Sequence, residues 1–91
     1  MELSAQIESY IRESFYVDAD DAGFGPAVDL WEEGYVDSTG MVEVITFLED
    51  LMGGTRIPDE IMMGTRLSTI NGMVEVVREL SNEQSLQQPA V

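Results

Sequence analysis

Asp29-Leu30-Trp31-Glu32-Glu33-Gly34-Tyr35-Val36-Asp37-Ser38-Thr39-Gly40 runs from loop chemistry straight into a helix and sets Ser38 at the helix start. At about 100° per residue, Met41, Val44, Ile45, Leu48, Leu51 and Met52 then gather on one side, with Phe47 at its edge. Thr39, Glu43, Thr46, Glu49 and Asp50 occupy the other side. The spacing predicts a helix over 38–52, ended by Gly53 and Gly54 as glycine commonly ends helices. Val42 falls among the polar residues and is expected as an exposed apolar spot on an acidic face.

Upstream, Leu3, Ile7, Tyr10, Ile11 and Phe15 stand at helical spacing and predict a first helix over 3–15. Between the two helices, Asp18, Asp20, Asp21, Gly23, Gly25 and Pro26 are loop chemistry. Loops this long are usually functional or packed by their own side chains, and Phe24, Val28, Leu30 and Trp31 are the residues expected to pack it. Downstream, Ile57-Pro58-Asp59-Glu60 opens a short helix that Gly64 closes. Ser68 is the expected N-cap of a last helix whose buried stripe is Ile70, Met73, Val74, Val77 and Leu80. No repeat and no alternating strand pattern is present. The expectation is an all-α domain over 1–80, three main helices plus one short one, followed by a disordered tail over 81–91 rich in Ser, Gln and Asn.

Composition narrows the function. The 91 residues, 44% of them apolar, fill one modest core and leave little room for a deep cleft. The chain has no cysteine and no histidine, so a disulfide framework, a thiolate nucleophile, the commonest general base and the commonest metal ligand are all missing. Eighteen acidic residues against four basic ones, all arginine, give a net charge of −14. Phosphate backbones and anionic lipids repel such a chain, which argues against nucleic acid and membranes as partners and for basic protein surfaces. No apolar run approaches the roughly 20 residues of a membrane span, and Met1-Glu2-Leu3-Ser4 lacks the order of a signal peptide. A cytoplasmic monomer is the expectation.

Two readings compete for Ser38. As an N-cap, its hydroxyl accepts a backbone N–H bond worth about 1 kcal/mol. As a modification site, the hydroxyl stays exposed and a phosphodiester on it lies near the positive end of the helix dipole. The surrounding residues favour the second. Gly34-Tyr35-Val36-Asp37-Ser38, then Val42-Glu43-Val44-Ile45 and Leu48-Glu49-Asp50, resemble the acyl carrier protein family, whose signature is Gly-apolar-apolar-Asp-Ser followed by a helix reading apolar-Glu-apolar-apolar. The resemblance continues through Ile57-Pro58-Asp59-Glu60 and Leu67-Ser68-Thr69-Ile70 and covers about Leu3 to Leu80.

The resemblance implies an acyl-carrier-like four-helix bundle that catalyses nothing. Ser38 would accept 4′-phosphopantetheine from coenzyme A in a phosphopantetheinyl transferase, and Asp37 would help hold magnesium in that complex. The arm's thiol would carry acyl or aminoacyl groups as thioesters, for biosynthesis of the fatty-acid, polyketide or nonribosomal-peptide type. Thr39, Val42, Glu43, Glu49 and Asp50 would form the face read by partners with basic surfaces: an acyl- or aminoacyl-adenylating ligase, an acyltransferase or a synthase. A groove between the second and third helices would be lined by Met41, Ile61 and Met62. The chain departs from the family at Thr39, where leucine is usual, and at Gly40 in the first helical turn. Asp37-Ser38-Thr39-Gly40 looks more like stand-alone carriers loaded by separate adenylating ligases, including the D-alanyl carrier type.

Other readings carry less. Asp18, Asp20, Gly23 and Asp29 fall at positions 1, 3, 6 and 12 of an EF-hand loop, but Ala22 takes position five, Asp29 replaces the bidentate Glu and Pro26 interrupts the loop. No resident metal is expected. The Met62-Met63 pair, with Met41, Met52 and Met73, reads as adaptable packing, and Glu32-Glu33 as a solvated loop. The functional alternative is an acidic helical interaction module with no prosthetic group, which shares every feature except a modifiable Ser38.

Overall fold

Where apolar residues recur at helical spacing, helices form. The computed structural model describes residues 2–87. It contains α1 (Leu3–Ser14), α2 (Ser38–Leu51), the short α3 (Asp59–Met62) and α4 (Ile70–Gln87), with a 3-10 turn over Arg66–Ser68 before α4. Among these residues there is no strand, and no helix is long and apolar enough to cross a membrane.

Each main helix turns one stripe to a common core. Ile7 and Ile11 of α1, Val44 and Leu48 of α2, and Ile70, Met73 and Val76 of α4 are wholly removed from solvent. Val74, Val77 and Leu80 join them, so α4 buries a wider face than the expected stripe, which lacked Val76. A helix placed against α1, α2 and the 3-10 turn together has a reason to be apolar over more than one edge. Tyr10 stacks on Phe47 with ring centroids 3.9 Å apart, its hydroxyl donates to the Glu43 carbonyl at 3.3 Å, and Phe15 meets Gly40. This pairing of later α1 residues with earlier α2 residues makes the two helices antiparallel.

Two expected boundaries move. The last helix is capped by Thr69, not Ser68: the Thr69 hydroxyl accepts from Gly72 N–H at 3.0 Å. Ser68 belongs to the 3-10 turn, and its carbonyl accepts from Leu30 N–H at 2.8 Å. α4 also passes Leu80, the expected end of the ordered part, and runs to Gln87. Residues 81–87 contain no Pro or Gly and include Glu83, Gln84, Leu86 and Gln87, all good helix formers. Residues 88–91 of the expected tail lie outside the described residues.

The long α1–α2 connection is held by its own side chains. Asp21 Oδ1 accepts from Gly23 N–H at 2.8 Å and Asp21 Oδ2 from the Tyr35 hydroxyl at 3.0 Å. Asp29 Oδ1 accepts from the N–H groups of Trp31 and Glu32. The Arg12 guanidinium lies 4.5 Å from the centre of the Phe24 ring, which meets Tyr35 edge-on. Phe24, Leu30 and Val36 are buried, and Asn71 N–H donates to the Pro26 carbonyl, tying the loop to the start of α4. Trp31 departs from expectation. It is 49% exposed because the Asp29 turn carries it outward while Leu30 goes in.

Candidate functional site

The loop delivers its last residues to the N-terminus of α2. Val36 is buried and its N–H donates to the Leu30 carbonyl at 3.1 Å, which fixes the approach. Asp37, in extended conformation, is the N-cap: its Oδ1 accepts from Gly40 N–H at 2.7 Å. Ser38 is therefore the first helical residue and not the cap. It is exposed, and nothing among the described residues takes its hydroxyl. A nucleophilic oxygen thus stands at the positive end of a helix dipole, next to a carboxylate with one oxygen committed to the cap.

Gly40 is buried for a reason its helix propensity hides. A Cβ there would lie 2.5 Å from Cε1 of Phe15 and 3.2 Å from Asp37 Oδ1, so the absent side chain lets α1 end against the first turn of α2. Tyr16, the next residue, closes α1 with φ of 56°, and Val17 N–H donates to the Arg12 carbonyl across it. This is the left-handed cap position that glycine usually fills.

Two hollows flank α2. One, of about 290 Å³, brings Met41 and Met62 together with Trp31, Met63 and Leu67. Ile61, expected in that groove, does not line it: the side chain is half-buried against the core. The other, of about 560 Å³, lies between α1 and α2 and includes Tyr10, Phe47, Val42, Glu43 and Asp50. Val42 is 64% exposed there, the apolar spot expected among acids.

Of the residues expected on the partner face, Thr39, Val42, Glu43 and Asp50 are exposed. Glu49 is not free to face a partner. It is half-buried, and its Oε2 accepts from Ile57 N–H at 2.8 Å, holding the segment that leads to α3. Of the acids in the partial EF-hand match, Asp29 caps a turn with its carboxylate, and Asp18 takes Arg12 through its backbone carbonyl. Among the described residues no three carboxylates converge as a metal site.

Sequence reasoning missed Trp31, Met63 and Leu67 as hollow-lining residues, and Phe15 as the partner of Gly40. Trp31 carried a signal: it lies two residues after an aspartate, the spacing at which an Asp side chain caps a turn. Gly40 inside a first helical turn was the other.

As a site for a phosphodiester-linked group, the residues fit: an exposed hydroxyl on the first residue of α2, at a helix end whose Gly40 N–H Asp37 caps, and a hollow that Met41 of the same helix helps to line. Comparison with protein-family models, with curated proteins and with solved structures finds no match for this chain.

Proposed function

We propose that the chain is a non-catalytic acyl carrier, an acyl-carrier-like bundle that bears 4′-phosphopantetheine on Ser38. The observation that carries the reading is the division of labour at the start of α2: Asp37 performs the capping and leaves the Ser38 hydroxyl exposed. The arm would supply the thiol that a chain without cysteine lacks, and acyl or aminoacyl groups would ride on it as thioesters.

In the transferase complex, Ser38 Oγ would form its bond to phosphorus as the bond to the adenosine bisphosphate half of coenzyme A breaks. The serine proton would leave to a base of the transferase. Asp37 would hold the cap with Oδ1 and would be this chain's residue for holding magnesium, which would neutralise charge developing on the phosphates. The N–H groups at the start of α2 would then face the new phosphodiester. Met41 and Met62 would shelter the first carbons of a cargo, since thioether side chains adapt to irregular apolar shapes. Thr39, Val42, Glu43 and Asp50 would meet basic surfaces on the transferase and on a loading ligase, acyltransferase or synthase. Exposed ion pairs are worth about 0–1 kcal/mol each, and weak, salt-sensitive binding suits a carrier that releases each partner in turn. The work would be that of a monomer in the cytoplasm.

The test is transfer from a fluorescent coenzyme A analogue by a broad-specificity phosphopantetheinyl transferase with magnesium. Label on the wild type and none on Ser38→Ala supports the carrier. No label on either while both are folded favours the acidic interaction module, and equal label on both would place the modification at a residue other than Ser38.

A further inference from the structure

Six methionines stand in a chain that has no cysteine and no histidine. Packing accounts for Met52 and Met73, which are buried in the core. It accounts for less at Met41 and Met62, which are half-buried, and for nothing at Met63, which is 87% exposed. These three line one hollow of about 290 Å³, Met41 from α2, Met62 from the last residue of α3 and Met63 from the residue after it. A leucine would fill such positions equally well. What a methionine adds is the sulfur.

The opposite wall is fixed without help from the methionines. The Asp29 turn carries Trp31 to the hollow, its carboxylate accepting from Trp31 N–H at 3.0 Å. Leu67 is buried, and the Ser68 carbonyl beside it accepts from Leu30 N–H at 2.8 Å. Three unbranched side chains, each with three rotatable bonds, thus face a pinned rim that bears one indole. The flexible chains let their sulfurs converge, and an indole face attracts cations.

This lining is selective. Thioethers are soft, neutral donors that suit Cu(I) and not hard cations such as Mg(II). Neutral ligands leave the ion's charge uncompensated, which favours one positive charge over two, and the field of a chain at −14 offsets what remains. No charged residue lines the hollow, so a hard cation drawn to the acidic surface finds no carboxylate there.

We propose that Met41, Met62 and Met63, beside Trp31, hold one soft monovalent cation of the Cu(I) class through their thioether sulfurs. The site does not depend on modification of Ser38. Met41 and Met62 are also the residues given above to a cargo, so on the carrier reading cation and cargo exclude each other.

The test uses the unmodified chain in chloride-free buffer with silver nitrate, because Ag(I) shares the charge and softness of Cu(I) and needs no reductant. Native mass spectrometry should show one Ag(I) per chain. With 13C-methyl-labelled methionine, the signals of Met41, Met62 and Met63 should shift while those of Met52 and Met73 hold. Emission from Trp31, the sole tryptophan, should change with the same midpoint. Leucine keeps the size and apolarity of methionine and removes the sulfur. Met62→Leu, and Met63→Leu at its exposed position, should each weaken Ag(I) binding at least about tenfold, since losing even a group behind a ligand costs about 10- to 100-fold. The triple Leu variant should be as helical as wild type and bind no Ag(I). Met52→Leu should bind as wild type does, and excess Mg(II) should displace nothing. Wild-type affinity in the triple variant, methyl shifts as large at Met52 and Met73 as at the other three, or displacement by Mg(II) would each overturn the proposal. No coenzyme A enters this test, so its failure and failure of Ser38 loading are read separately.

Discussion

Asp37 and Gly40 show how single residues shape the site. The carboxylate of Asp37 serves the cap now and, in the proposed chemistry, a magnesium ion later, and the two roles separate by substitution. Asp37→Ala should cost about 1 kcal/mol in urea unfolding, because the Gly40 N–H loses its acceptor. Asp37→Asn keeps an equally good cap, so its stability should stay within about 0.5 kcal/mol of wild type while its rate of phosphopantetheinylation falls. At Gly40, alanine gains about 1 kcal/mol of helix propensity but pushes a methyl into the Phe15 ring, 2.5 Å away. Overpacking costs about 1–3 kcal/mol, so Gly40→Ala should be net destabilising, and Phe15→Leu in the same chain should reverse the sign. The glycine was legible in the sequence only as a flaw in a helix. Its reason lies in a residue twenty-five positions earlier, across an antiparallel pairing that helical periodicity does not specify.

Among the elements, the loop and the start of α4 have the least slack. Gly72 sits where the 3-10 turn passes closest: a Cβ there would fall 1.8 Å from the Arg66 carbonyl oxygen. Backbone cannot yield as a side chain does, so Gly72→Ala should lose about 3 kcal/mol, read by chemical denaturation. In the loop, desolvation of the half-buried ring, then the hydrogen bond to Asp21 and the charges of Asp21 and Glu33, raise the Tyr35 phenol above its ordinary value. The unfolded chain gives up this proton first. The contribution is therefore full below the ordinary tyrosine range and is lost as pH rises through the folded value. Thermal melts above pH 10 should show a fall in stability that is smaller in Tyr35→Phe; an identical fall in both would place the effect elsewhere. The helices were readable from the sequence because each buries a stripe at 3.6-residue spacing, as Ile7 and Ile11 or Val44 and Leu48 do. The loop was readable only in kind. Which of Leu30 and Trp31 turns inward depends on the Asp29 turn and on Ser68, far along the chain. The α4 cap at Thr69 and the turn of Glu49 toward Ile57 rest on side-chain hydrogen bonds that helical periodicity does not specify.

At the scale of the whole molecule, a small all-helical body carries much negative charge, two hollows flanking α2 and one exposed serine at the head of that helix. Methionines border one hollow and acids border the other. The all-α architecture and the place of Ser38 followed from periodicity and from a short motif. The division into two hollows did not, because it depends on how α1 and α3 lie against α2. The central claim is that Ser38 is a modification site on a carrier, and intact-protein mass spectrometry tests it most directly. The wild type and Ser38→Ala are each incubated with coenzyme A, magnesium and a broad-specificity phosphopantetheinyl transferase, with circular dichroism to show that both are helical. The account predicts a gain of one phosphopantetheine on the wild type and no gain on Ser38→Ala. An unchanged mass for the folded wild type with several transferases would contradict it.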